Sequence, residues 1–167
     1  LTIYRVDHEA GVRRAVIARD RFADLILDYE GPLDAGISGW AIRHGQGVLA
    51  NDAHLDPRSV QIPGTPFEPE SMIVCPLLVA GDVAGTLNIA RMGESQAHFS
   101  QDEFELVQLF AGQASIALRN AAAHGAVLTR AEQDALTGLG NHGAFQRRLL
   151  ADVSAGFGDS FAIVMLD

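Results

Sequence analysis

The sequence contains no lysine, and its 12 basic side chains are all arginine. Against them stand 21 acidic side chains, which gives a formal net charge of -9 at pH 7. Duplex nucleic acid and anionic membranes are bound mainly through cationic contacts. The charge balance therefore argues against both of them as partners.

Cysteine and long apolar runs are also scarce. Cys75 is the only cysteine, so no intramolecular disulfide can form. No run of about 18 apolar residues predicts a membrane span, and the N-terminus does not resemble a signal peptide. Because the chain begins at Leu1 rather than Met, we expect a piece of a longer protein. Hydrophobic residues still make up 48% of it, enough for a packed domain and part of a second, and we expect a cytoplasmic protein.

Two β-hairpins are predicted from alternation and turn residues. The first joins residues 1–7 to residues 12–20, and the second joins residues 72–79 to residues 83–90. Residues 72–79 are almost continuously apolar, which is typical of a strand buried on both faces. Over residues 83–90, Val83, Gly85, Leu87 and Ile89 alternate with Ala84, Thr86, Asn88 and Ala90, so the second hairpin has the clearer signal.

Between the hairpins, residues 38–44 predict a short helix with Ser38 as its N-cap and Gly45 at its end. A short strand follows at residues 48–50. Residues 54–69 hold four prolines and a glycine with few apolar residues. This composition predicts a long surface loop, and such loops often close over ligands.

Ser100 and Glu103 form an S-x-x-E capping box that predicts the start of a long helix. Behind it, small and apolar residues recur at alternating spacings of three and four: Phe104, Val107, Ala111, Ala114, Leu118, Ala121, Gly125 and Leu128. Their 3.5-residue period is typical of a helix paired along its length. A second apolar surface is formed by Leu106, Leu109, Phe110 and Ile116. We favour a homodimer through the helix at residues 104–128 over one wide face buried in a single domain.

Three stretches carry a resemblance to a known family: GISGWAIRHGQGVLANDAHLDPR, SMIVCPLLVAGDVAGTLNIAR and HFSQDEFELVQLFAGQASIALRNA, in this order. Residues 1–125 resemble a GAF domain that lacks the usual N-terminal helix. The resemblance implies an α+β fold, with a central antiparallel sheet flanked by helices, a small-molecule pocket and a sensory role. A long C-terminal signalling helix is expected over residues 100–133.

The identity of a GAF ligand does not follow from the fold. The helix and loop that are expected to face the pocket carry six candidate binding residues: Trp40, Arg43, Asp52, His54, Asp56 and Arg58. The alternative is a pocket filled by side chains, in a domain that serves only as a structural dimerisation module.

Residues 134–167 resemble the truncated start of an α/β GGDEF domain, the diguanylate cyclase module. The D-x-L-T-G-L-x-N signature is matched by Asp134, Leu136, Thr137, Gly138, Leu139 and Asn141, with Phe145 as the following aromatic. His142-Gly143 depart from the arginines that the family often has there. From the residues themselves we expect Asn141 to cap a helix that begins at His142, and an apolar strand at residues 161–166.

The resemblance further implies that Asp167, at the end of that strand, binds Mg²⁺ beside the triphosphate of GTP. The Gly-Gly-[Asp/Glu]-Glu-Phe loop is not among residues 1–167. We therefore expect no catalytic residue in this fragment. The full-length parent is expected to be a diguanylate cyclase that converts two GTP into cyclic di-GMP, regulated through the dimeric helix.

Haem and redox sensing are the remaining alternatives. His44, His54 and His98 have no zinc-ligand spacing, although a single histidine can ligate haem. Cys75 alone cannot complete a disulfide-exchange cycle, and we favour a structural role for it. The N-K…F-x-x-x-D-E pattern of cyclic-nucleotide-binding GAF domains fails at two points, since Asn88 precedes isoleucine and the second half is one residue short.

Overall fold

A computed structural model describes residues 1–93, 97–132, 137, 139 and 141–154. The chain divides into two compact units, Leu1–Asn120 and Ala121–Asp167.

The first unit is built on an antiparallel sheet. Its six strands are β1 (Thr2–Asp7), β2 (Val12–Ala18), β3 (Glu30–Pro32), β4 (Val48–Ala50), β5 (Glu70–Val79) and β6 (Asp82–Met92). Its helices are α1 (Ala23–Asp28), α2 (Gly36–His44) and the beginning of α3 (Gln101–Glu132). The strand order is β3-β2-β1-β6-β5-β4, and every neighbouring pair is antiparallel. Both predicted hairpins, β1–β2 and β5–β6, are present.

Strand β5 separates two apolar cores, because successive side chains of a strand point to opposite faces of the sheet. Ile73 and Cys75 pack in the same core as Ala111 of α3. Val74, which lies between them, packs in another core with Ala41 of α2. All three β5 side chains are at most 1% exposed. The expectation of a strand buried on both faces is confirmed.

Helix α2 packs on strand β6. Thr86 and Asn88 of β6 are both buried, because α2 covers that face of the strand. The amide of Asn88 donates a hydrogen bond to Ser38 Oγ at 2.8 Å. Helix α2 begins at Gly36 with Ala35 at the N-cap position. Ser38 as the cap was therefore wrong, since its hydroxyl serves a tertiary contact instead.

The start of α3 is fixed by the predicted capping box. The backbone N–H of Ser100 donates to Glu103 Oε2 at 2.8 Å, and the backbone N–H of Glu103 donates to Ser100 Oγ at 3.2 Å. Glu103 also pairs with Arg91 of β6 at 2.6 Å. These contacts hold the first turn of the helix beside the sheet.

The two apolar surfaces of α3 have different surroundings within the first unit. The beginning of the 3.5-residue repeat packs in the core beneath the sheet and consists of Phe104, Val107, Ala111 and Ala114. The second surface, named here the outer face of α3, consists of Leu106, Leu109, Phe110 and Ile116, and all four are exposed. The repeat is therefore used first for packing on the domain's own sheet.

In the second unit, helix α4 (His142–Ser154) begins where the sequence predicts it. The side chain of Asn141 caps this helix, because its Oδ1 accepts the N–H of Ala144 at 3.0 Å. The rest of the signature and the predicted strand lie outside the described residues: Asp134, Leu136, Gly138, residues 161–166 and Asp167. In the described part of the chain no helix is both long and apolar enough to cross a bilayer.

Replacement of Gly85 by alanine is expected to destabilise the fold by about 1–3 kcal/mol, the range typical of overpacking. A Cβ at Gly85 would lie 2.3 Å from the carbonyl oxygen of Tyr4, so β1 and β6 must separate. Equilibrium urea denaturation measures the change. Gly112→Ala is the matched control, since a Cβ there meets nothing within 4 Å and alanine favours a helix by up to about 1 kcal/mol. Equal stability of wild type and Gly85→Ala would contradict the close strand contact.

Candidate functional site

A cavity of about 270 Å³ lies on the face of the sheet that carries α1. Its walls are Phe22 and Ile26 from the α1 region, the loop at residues 54–68, and the adjoining ends of β5 and β6. Glu70 and Met92 are cross-strand partners at that end of the sheet, so the cavity lies where the β5–β6 hairpin meets the loop.

The loop is held over the cavity by its own hydrogen bonds. Arg58 donates to both carboxylate oxygens of Asp56, at 2.9 and 2.6 Å. The same guanidinium lies 5.2 Å from the centre of the Trp40 ring. His54 Nδ1 accepts the backbone N–H of Glu70 at 3.3 Å. These contacts tie the loop to α2 and to the start of β5, so the cavity has a defined wall.

The six candidate binding residues do not form one cluster. His54 and Asp56 line the cavity, and Trp40 and Arg58 brace the loop from outside it. Arg43 is exposed and pairs with Asp34 at 3.5 Å.

Asp52, the last candidate, lies at the junction of the loop with the start of α3. It accepts a hydrogen bond from His98 Nε2 at 3.2 Å. Asp52 also has a left-handed backbone, with φ of 60°, in which aspartate is tolerated better than most residues. Its position favours a structural role in turning the chain.

Three acidic residues that the sequence analysis missed also line the cavity: Asp20, Glu68 and Glu70. Burial raises the pKa of Glu70, and the negative charge of Asp20 raises it further, while His54 opposes both. Asp20 Oδ1 accepts the N–H of Phe22 at 2.9 Å. In the part of the chain that the structure describes, the Glu70 carboxylate has no hydrogen bond or ion pair.

The remaining carboxylates of the lining are already neutralised by arginines. Asp56 pairs with Arg58, and the hydrogen bonds from that guanidinium lower the pKa of Asp56. Glu68 pairs with Arg21. The uncompensated charge of the cavity is therefore negative and lies at Asp20 and Glu70.

Hydrogen bonds connect the neighbourhood of the cavity with α3 and with the residue just before its capping box. Asn51, just before the loop, donates from Nδ2 to the carbonyl of Phe99 at 3.0 Å and accepts the Phe99 N–H at 2.9 Å. At the far end of β5, the N–H of Leu78 donates to Ser115 Oγ at 2.9 Å. The segment before the loop therefore contacts the residue that precedes the capping box of α3, and strand β5 contacts the helix itself.

The sequence signal for Glu70 was weak but present. Glu70 is an acidic residue between the proline-rich loop and the apolar strand. A polar side chain at such a position is expected to lie next to buried apolar residues. Asp20 gave no comparable signal, because its role depends on the packing of α1 against the sheet.

Replacement of Glu70 by glutamine is expected to make the free protein more stable at neutral pH. The raised pKa means that the folded protein holds the Glu70 proton more tightly than the unfolded chain, so stability is lost as pH rises above the ordinary pKa of 4.5. Below that pH the carboxyl is neutral in both states and the advantage of Glu70→Gln disappears. Urea denaturation from about pH 4 to about pH 8 measures this difference. The control variant Glu9→Gln changes an exposed side chain and is expected to have nearly the stability of wild type at every pH. A stability gain of Glu70→Gln that does not increase with pH would contradict the burial of Glu70.

Known structures share this architecture at low sequence identity. The GAF domain of a phosphoenolpyruvate-protein phosphotransferase from Coxiella burnetii is 18% identical, with 75% of this chain and 74% of that chain covered and a TM-score of 0.63. The GAF-B domain of DevS from Mycobacterium smegmatis is 21% identical, covering 75% and 84%, with a TM-score of 0.60. Free methionine-R-sulfoxide reductase from Neisseria meningitidis, solved with its substrate, is 21% identical, covering 72% and 68%, with a TM-score of 0.57. These likenesses concern the fold alone.

The comparison with curated proteins gives no match. The family model of the GAF domain matches residues 2–119. That range contains the whole sheet, the cavity and the first part of α3. The chain therefore belongs to the GAF domain family.

Proposed function

We propose that this GAF domain is the ligand-binding, regulatory region of a diguanylate cyclase, whose parent protein makes cyclic di-GMP from two GTP molecules. The sensory part of the proposal rests on one observation, a cavity bordered by strand β5 and the segment around Asn51, which are hydrogen-bonded to α3 and to Phe99 just before it. The cyclase part rests on the signature residues at 134–141 that follow this helix.

The proposed signal passes from the cavity to α3 by two contacts. A ligand that displaces the loop acts on Asn51, whose amide makes two hydrogen bonds to the backbone of Phe99. A ligand that moves the start of β5 acts along the strand on Leu78 and its bond to Ser115. Because one contact lies just before the first turn of α3 and the other lies further along at Ser115, a change in one relative to the other tilts or rotates the helix.

The cyclase chemistry belongs to the rest of the parent protein. By resemblance Asp167 is the one Mg²⁺ ligand in this chain, and it lies outside the described residues. A single carboxylate does not make a metal site, so the described residues support no reaction step that uses Mg²⁺. Within the described residues the structure supports only the start of the module, where Asn141 caps α4. We expect residues 1–167 by themselves to make no cyclic di-GMP.

We propose a second copy of the chain as the partner of the outer face of α3. Leu106, Leu109 and Phe110 are 67%, 71% and 64% exposed, and contiguous exposed apolar surface commonly marks an interaction site. The cyclase reaction joins two GTP molecules held by two facing domains, which requires a dimer. A purely structural dimerisation module is the second candidate, and the same outer face favours it.

Redox sensing through Cys75 is not proposed. The thiol is 1% exposed, and burial raises its pKa to about 11. Because the thiolate is the reactive form, this thiol is poorly reactive at neutral pH. A structural role in the core shared with α3 fits these observations.

Leu109→Arg is expected to weaken the dimer of residues 1–167 at least about tenfold, since it places charge in the middle of an apolar contact. Leu109 is exposed in the single chain, so the fold itself is expected to survive, as circular dichroism will check. Sedimentation velocity measures the association. Gln101→Arg adds the same charge at another exposed position of α3 and is the matched control. Unchanged association of Leu109→Arg would contradict the outer face as the dimer interface.

The full-length parent protein, incubated with GTP and Mg²⁺, is expected to form cyclic di-GMP, detected by chromatography. Leu109→Arg in that protein is expected to lower product formation at least about tenfold, in parallel with dimer loss, while Gln101→Arg leaves it unchanged. Absence of product from the wild-type parent would contradict the cyclase. Product formation without any dependence on dimerisation would contradict the regulatory role of α3.

A further inference from the structure

The acidic side of the cavity has an unbalanced charge. Asp20 and Glu70 both line it, and they lie close enough for the charge on Asp20 to raise the pKa of Glu70. The neighbouring arginines do not balance this charge, because Arg21 pairs with Glu68 and Arg58 pairs with Asp56. Asp20 is exposed, but Glu70 is half-buried and its carboxylate has no hydrogen-bond or ion-pair partner among the described residues. A half-buried carboxylate without a partner is costly. A bound cation would remove that cost.

Apolar side chains also line the cavity, beside the two carboxylates. Phe22 and Ile26 line it from the α1 region, and Met72 and Met92 line it from the sheet. Methionine adapts to ligands of irregular shape because its side chain is unbranched and polarisable. An apolar wall of this kind favours a ligand with a hydrocarbon part.

Two other ligand classes fit the cavity poorly. An anion such as a cyclic nucleotide would be repelled by the two carboxylates. A metal ion needs several ligands close together, and among the described residues no group of three or more His, Cys, Asp or Glu could hold one. A metal ion would also leave the apolar wall without a contact.

We propose that the cavity binds a small organic cation, an amine whose ammonium group lies between the carboxylates of Asp20 and Glu70 and whose hydrocarbon part contacts Phe22, Ile26 and Met72. The proposal rests on the sensory function proposed above, because it names the ligand class of the same cavity. Hydrogen bonds from ammonium to carboxylate are charge-assisted and are stronger than bonds between neutral groups.

The volume of the cavity limits the size of the amine. At about 270 Å³ it lies just below the range of about 300–1,000 Å³ that holds drug-sized ligands. A short alkyl or arylalkyl amine fits this space, whereas a nucleotide is too large as well as wrongly charged.

The test compares three six-carbon probes that differ in charge: hexylamine, 1-hexanol and hexanoate. Each is titrated into residues 1–167 at neutral pH, and binding is followed by isothermal calorimetry and by the amide resonances of His54 and Glu70. Hexylamine is expected to bind at least about tenfold more tightly than 1-hexanol, and hexanoate more weakly than either.

Two charge-removing variants locate the binding site. Glu70→Gln and Asp20→Asn are each expected to weaken hexylamine binding at least about tenfold while leaving 1-hexanol unaffected. Asp20→Asn keeps an oxygen that can accept the N–H of Phe22, so the local turn is retained. Glu9→Gln removes a negative charge at an exposed turn and Asp82→Asn removes one at the exposed first residue of β6, and these variants are the controls.

The outcomes separate this inference from the sensory proposal. One outcome is that 1-hexanol or hexanoate binds as tightly as hexylamine and shifts the amide resonances of His54 and Glu70. This result would retain the cavity as a ligand site and overturn the assignment of its ligand as a cation. Hexylamine binding that survives both cavity variants would overturn the assignment of Asp20 and Glu70. Failure of all three probes to bind at millimolar concentration would overturn both the ligand class and the sensory role, leaving the structural dimerisation module.

Discussion

The structure depends on one constraint: the centre of strand β5 has no face that water can solvate. Its central side chains alternate between two cores and are almost completely buried on both sides, as Ile73 and Val74 illustrate. A sheet with such a strand must be covered twice. Helix α3 covers one face, and α1, α2 and the loop at residues 54–69 cover the other. The cavity lies on the face covered by α1, α2 and the loop, because these short elements do not fill the space over the sheet as one long helix does.

The same constraint connects the cavity with the helix. The consecutive β5 residues Met72 and Ile73 lie on opposite faces of the sheet. Met72 lines the cavity, and Ile73 packs in the core with α3. A shift of the strand at the cavity therefore also displaces the core shared with α3, because closely packed cores transmit displacement. The hydrogen bonds of Asn51 and Leu78 add directional contacts to this packing.

Features set by neighbours in the sequence could be predicted, and those set by tertiary contacts could not. The capping box joins Ser100 to Glu103 within one turn, so its pattern is local and its prediction was confirmed. Ser38 has the residue type of a cap, but its partner is Asn88 on a distant strand, and no local rule identifies that pairing. The cavity is similar, because Asp20 and Glu70 come together only when α1 and the loop pack on the sheet. His54 and Asp56 were found because loop composition is itself a sequence signal.

The 3.5-residue repeat of α3 shows why periodicity does not identify a partner. Small residues such as Ala111 and Ala114 allow a helix to approach either another helix or a sheet. In this chain they pack against the sheet. The larger side chains of the outer face, such as Leu109 and Phe110, remain exposed. A helix held on one side by its own domain keeps its register with respect to that domain. Any partner on the outer face must then follow the movement of the sheet, and this is the physical requirement for a sensor that acts through association.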